Sequence, residues 1–144
     1  MKKNLTVLNK VALLIIWTIY CISLMLPAFT TSDGDSAPGV MLVLMGGLGI
    51  FAGLLASTLS WYANLLFFYI SVQTFRGKET SISHFFMLLL AFRSFFPWVM
   101  LLDEAGNTAV ITNYDSGYYF WISSIMLLST LVFINWFLCR KRVS

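Results

Sequence analysis

The residues able to do chemistry are few, and most stand in apolar surroundings. Arg93 lies about ten residues from Ser83 and about ten from Asp103, inside a stretch otherwise free of charge. A guanidinium near a bilayer midplane costs roughly 2.5–3.5 kcal/mol on insertion scales, so something must compensate it. Asn64 lies about twelve residues before Arg76, at a depth matching that of Arg93. The two together would make a polar midplane site. Asp103 and Glu104 are paired carboxylates, followed closely by Asn107. Such pairs move protons or hold a cation. Asp33 and Asp35 are spaced like the start of a calcium loop, but the third ligand and the distal Glu of that pattern are missing.

Each of these residues has a plainer reading beside the chemical one. Arg93 reaches the outer headgroups from an irregular helix, with Pro97 removing a backbone bond to the carbonyl of residue 93. Alternatively it joins a buried network with Asn64, or binds an anion, a lipid head group or an acidic partner residue. The acids Asp33, Asp35, Asp103, Glu104 and Asp115 form a solvated loop surface, a structured surface for an extracytoplasmic partner, or a catalytic pair at Asp103 and Glu104. Cys21 and Cys139 read as buried apolar thiols at different depths, which argues against a disulfide. With a single histidine, His84, and no CxxC, zinc and haem sites are not expected. Ser-His-Asp sets, Gly-rich phosphate loops and H-E-x-x-H helices are likewise missing. Asn135, about five residues from Arg140, is expected to make an interhelical hydrogen bond.

The elements that position these residues belong in lipid. The chain is 59% hydrophobic and 10% charged, against about 25% charged in ordinary soluble domains. One integral domain, residues 1–144, is expected. A first span at about 11–29 follows three lysines; its apolar core exceeds the roughly 7–15 residues of a signal peptide. A lipoprotein site at Cys21 is excluded by the bulky Tyr20 before it. Residues 30–39 (TTSDGDSAPG) force a chain reversal. Then 37 residues, Gly39 to Phe75, carry no charge. As one helix they would run about 55 Å, nearly twice what a bilayer needs. A short interfacial or re-entrant helix at 39–49 and a tilted span at 50–75 fit better, joined at Gly46–Gly49. Gly49, Gly53 and Ser57 recur at four-residue spacing, with Ala52, Ala56 and Ser60 alongside. Such a stripe lets helices approach closely, either inside the molecule or at a homodimer or partner seam. A third span is expected at 84–102 and a fourth at 118–139, opened by the aromatic belt Tyr118–Trp121. Between them Thr108–Thr112 is rich in β-branched residues and reads as a short extended element.

Charge orients this arrangement. Residues 1–10, 76–83 and 140–144 hold eight Lys and Arg against one acid, Glu79. The two intervening loops hold five acids and no Lys or Arg. The positive-inside rule then places both termini in the cytoplasm. The basic ends read as anchors beside anionic lipid rather than as a nucleic-acid surface.

Four short motifs carry a resemblance. Pro38 to Gly49 reads P-G-x-x-x-x-L-x-G-x-x-G, Trp61 to Asn64 reads W-x-A-N, and Asp103 to Asn107 reads D-E-A-G-N; Tyr118–Trp121 completes the set. With these the chain resembles a group of small four-span bacterial inner-membrane proteins of unassigned function, over most of residues 25–130. The resemblance brings no activity with it. It implies that the DEAGN loop and Trp61–Asn64 matter together, and Arg93 is not part of its pattern.

The expected fold is an all-α membrane protein: a four-transmembrane-helix bundle, N-in and C-in, with a short interfacial or re-entrant helix before the second span. The expected function is that of a non-catalytic accessory protein of the bacterial inner membrane, without cofactor or metal. It would bind a larger membrane complex or an envelope factor, as a toxin-immunity protein does. The alternative is a small homo-oligomeric channel or transporter subunit with its polar site at Asn64 and Arg93. A lipid-modifying enzyme would have only Asp103 and Glu104 to work with.

Overall fold

Helices dominate the computed structural model, which describes residues 2–51, 55–78, 80–96, 99–101 and 108–140. Helix α1, Lys2–Met25, runs until Pro27, whose missing N–H and ring bias the preceding residue out of the helix. Strands β1 (Pro27–Thr31) and β2 (Ser36–Pro38) form a hairpin. The reversal is closed by Gly34, whose φ of +85° suits glycine, and by Thr31 N–H donating to Asp35 O at 2.9 Å. A short helix α2, Gly39–Met45, continues into a 3-10 segment, Gly46–Ile50. Helix α3 spans Leu55–Phe75 and α4 spans Ser81–Arg93. Strands β3 (Val99–Leu101) and β4 (Thr108–Tyr114) precede the last helix, α5, Ser116–Arg140.

The strands make one small antiparallel sheet, in the order β2-β1-β4-β3. The later half of β4 pairs with β1 (Phe29 opposite Tyr114, Thr30 opposite Asn113), and its first half pairs with β3 (Val99 opposite Val110). Since β1 leaves α1 and β4 enters α5, this pairing brings the end of α1 to the start of α5. The two helices pack antiparallel, while α3 and α4 form a second packed pair. The start of α1, the end of α5 and the α3–α4 turn lie at the end of the bundle away from the sheet.

The helices bury small polar groups and expose large apolar ones. Ser23, Thr58, Ser60, Ser71 and Ser124 are buried, whereas Leu14, Phe51, Ile82, Phe85, Phe92 and Phe133 are exposed. The core joins Tyr20, Phe67, Ile70, Met87, Ile125 and Leu128. Within it Tyr20 stacks on Phe67, with ring centroids 4.7 Å apart. Two helical stretches, Val7–Met25 and Ser116–Leu138, are long and apolar enough to cross a membrane.

Several expectations are corrected. The fold is not all-α: the sheet uses Pro27–Phe29, which had been assigned to the first span, so that helix stops at Met25. The third helix does not run from 84 to 102. It stops at Arg93, where Ser94 and Phe95 turn back onto Ala91 and Phe92, and β3 follows. Its 13 residues reach about 20 Å, short of a hydrocarbon core of about 30 Å. Four full spans are therefore not supported. The small-residue stripe falls partly outside the described residues: Gly49 sits in the 3-10 segment, Ser57 lies in α3, and Gly53 between them is not described. Other expectations match. A short helix does precede α3, Thr108–Thr112 is strand, and α5 covers the fourth span.

Candidate functional site

The polar centre of the bundle is Asn64, on the buried face of α3. Its side-chain oxygen accepts two hydrogen bonds. One comes from the Trp121 indole N–H of α5 at 2.8 Å, the other from the Tyr20 hydroxyl of α1 at 3.1 Å. Its amide N–H₂ donates to the Trp61 carbonyl at 3.1 Å, one turn back on its own helix. Both lone pairs of the oxygen are thus engaged, each by a different helix.

Trp61 extends the hub to α2. Its indole N–H donates to Val43 O at 2.7 Å, and its ring lies against Gly46 and Gly47. A Cβ at Gly47 would stand 3.2 Å from that ring, and one at Gly46 would run into it. Gly39 similarly lies against the backbone of Ser23 and Leu24 in α1. Gly39, Gly46 and Gly47 are thus spacers that let a helix backbone and a tryptophan approach. Ser60 completes the set by donating to Leu90 O at 2.9 Å, tying α3 to α4.

A second polar cluster sits where the sheet meets the helices. Ser94 donates to Ala91 O at 2.6 Å, and its hydroxyl lies 2.9 Å from that of Tyr118. The Tyr114 hydroxyl donates to Ser94 O at 3.0 Å. Asp115, just before α5, accepts from the Thr30 hydroxyl at 2.7 Å and from the Asn113 amide at 3.3 Å, and its backbone N–H donates to Ala28 O. This carboxylate fixes the strand-to-helix junction. At the hairpin tip Asp33 and Asp35 are exposed.

The structure does not bring the expected pair together. The described partners of Asn64 are Tyr20, Trp61 and Trp121. Arg93 is the last residue of α4, with its guanidinium 5.5 Å from the Phe96 ring centroid. There its charge meets the negative end of the helix dipole, rather than standing in mid-helix. Asp103, Glu104 and Asn107 lie outside the described residues. Cys21 is exposed on α1, not buried as expected. The Asn135 side-chain oxygen is buried without a hydrogen-bond partner, so the expected interhelical bond is not formed. Among the described residues no group of His, Cys, Asp and Glu could hold a metal ion. Sequence reasoning missed Tyr20, Trp121 and Ser94. Aromatic residues with a polar tip in apolar helices signal a buried acceptor, and Asn64 was the one midspan amide to serve as it.

No family model, no curated protein and no solved structure matches the chain.

Proposed function

We propose that the protein is a non-catalytic accessory protein of the bacterial cytoplasmic membrane, and that it recognises a membrane or envelope partner through its sheet. Helices α1 and α5 cross the bilayer, and the α3–α4 pair packs beside them with its apolar side chains toward lipid. The termini and the α3–α4 turn face the cytoplasm, because eight of the nine Lys and Arg lie there.

The observation carrying this reading is the placement of the sheet. It lies at one end of the bundle; Asp33 and Asp35 belong to its hairpin and Asp115 follows β4, while Asp103 and Glu104 lie outside the described residues. Asp33 and Asp35 stand exposed at its hairpin tip. An acidic surface of this kind suits a partner with a basic face. A toxin that arrives from outside and is neutralised at the membrane is one such partner, by analogy with small polytopic immunity proteins.

The channel reading draws less support. Asn64 has both lone pairs of its oxygen engaged inside the bundle, which leaves little for a permeating solute. Purification from native membranes in mild detergent, followed by native mass spectrometry, separates the two. A stoichiometric second protein is expected. A pure homo-oligomer would overturn the accessory reading in favour of the channel.

A further inference from the structure

Helix α2 and the 3-10 segment after it take no part in the proposed function, and they are unusual for a surface element. From Gly39 to Ala56 the chain carries no polar side chain. One side of this element is packed. Gly39 lies against the Ser23 and Leu24 backbone of α1, and Gly46 and Gly47 lie against the Trp61 ring of α3. The other side is open. Val40, Met41 and Leu44 share one face of α2 and are exposed, Leu48 is exposed in the 3-10 segment, and Phe51 just after it is 88% exposed.

A helix lying in the headgroup layer carries a polar face toward water. One that is apolar all round belongs in a core or in hydrocarbon. The backbone points the same way. The last carbonyls of a helix lack an intrahelical partner, and in hydrocarbon no water supplies one. Here Val43 O accepts from the Trp61 indole at 2.7 Å, and Leu48 O accepts from Phe51 N–H at 2.9 Å. Helix α1 gives the depth. Its apolar stretch Val7–Met25 rises about 28 Å, close to the roughly 30 Å of a hydrocarbon layer. Ser23 and Leu24 belong to the last turn of that stretch, so Gly39 enters just inside the edge of the layer on the sheet side.

We propose that α2 and the 3-10 segment lie within the extracytoplasmic leaflet, with Val40, Met41, Leu44, Leu48 and Phe51 against lipid acyl chains. This rests on the membrane reading above. The occupant is lipid rather than a protein. A protein interface carries about one hydrogen bond per 100–200 Å², and the side chains of this face offer none. Strand β2 ends at Pro38 and α2 begins at Gly39, with no residue between them. The immersed element therefore tethers the acidic hairpin to the membrane surface, where a partner arriving at the bilayer meets it.

The test is electron paramagnetic resonance of the full chain in liposomes, with Cys21 and Cys139 changed to Ser. Nitroxides are attached singly to Leu44→Cys and Phe51→Cys, to Leu14→Cys on the exposed side of α1, and to Asp33→Cys in the hairpin. Molecular oxygen concentrates among acyl chains, and a neutral nickel chelate stays in water. Oxygen should relax the labels at 44 and 51 several-fold more than the chelate does, as at 14, while the label at 33 shows the reverse. Chelate access at 44 and 51, with 14 still in lipid, places α2 in the headgroups or water and overturns this proposal alone. Exclusion of both relaxants from 44 and 51 puts a protein on the face and overturns it too. Chelate access at 14 retires the membrane reading itself, and this proposal with it.

Discussion

Trp121 and Asn64, 57 positions apart in the chain, are joined by a 2.8 Å hydrogen bond from indole N–H to amide oxygen. Tyr20 donates to that same oxygen. Three helices therefore depend on one acceptor. Replacing Asn64 by Leu keeps the volume but strands two buried donors, each costing about 1–3 kcal/mol. The Asn64→Leu protein should lose about 3 kcal/mol of stability in detergent, followed by titration into sodium dodecyl sulfate. Adding Trp121→Phe should cost less than the sum of the two single changes, because the second removes a donor that the first had already stranded. Strict additivity would deny the hub.

Ser94 and Tyr118 provide the contrast. The Ser94 hydroxyl also donates to Ala91 O, so losing the tyrosine hydroxyl leaves it satisfied. Tyr118→Phe should cost only about 1 kcal/mol in the same assay. A loss as large as that of Asn64→Leu would show that this cluster carries more of the fold than its hydrogen bonds indicate.

Gly117 tests how α5 meets the end of α1. A Cβ there would lie 2.7 Å from Leu26 O and 2.8 Å from Pro27 O, both backbone atoms that cannot swing aside. Gly117→Ala gains about 1 kcal/mol of helix propensity but loses about 3 kcal/mol or more to the forced separation. A net destabilisation is expected from the same titration. Gly34→Ala meets open space and bears only the left-handed backbone cost of about 1–2 kcal/mol. The order Gly117 above Gly34 is the result to check.

Orientation can be read by labelling. In a chain with Cys21 and Cys139 changed to Ser, Asp33→Cys should react in intact cells with a maleimide that does not cross membranes. Lys78→Cys should react only after permeabilisation. The reverse pattern would invert the topology drawn from the basic residues.

The amino-acid pattern revealed the long last helix and the strand at Thr108–Thr112, because each is a local signal. It also revealed the short helix before α3, since 37 uncharged residues were too long for one crossing. The rest of the sheet was hidden for a physical reason. The partners of Pro27–Thr31 include Asn113 and Tyr114, more than eighty residues away. An apolar run from Val11 to Phe29 looks the same whether its last residues coil or extend. The run from His84 to Leu102 concealed its break at Arg93 for the same reason. At the hub, Asn64 stood out as a polar residue in an apolar helix, but its partners did not. Tyr20 and Trp121 look like ordinary members of a lipid-facing belt until the fold turns them inward.

The pairing of β1 with β4 also sets an order of events during synthesis. Tyr20 emerges about a hundred residues before Trp121, and at roughly 5–20 residues per second that interval is about 5–20 s. Throughout it the first helix has neither its companion helix α5 nor the β4 partner of its strand. The hydroxyls of Tyr20 and Ser23 must be sheltered meanwhile, Ser23 by its bond to Tyr20 O and Tyr20 by Asn64 once α3 arrives. Asn64 is thus available to α1 before the last helix exists, and its second lone pair has a donor only once Trp121 is made.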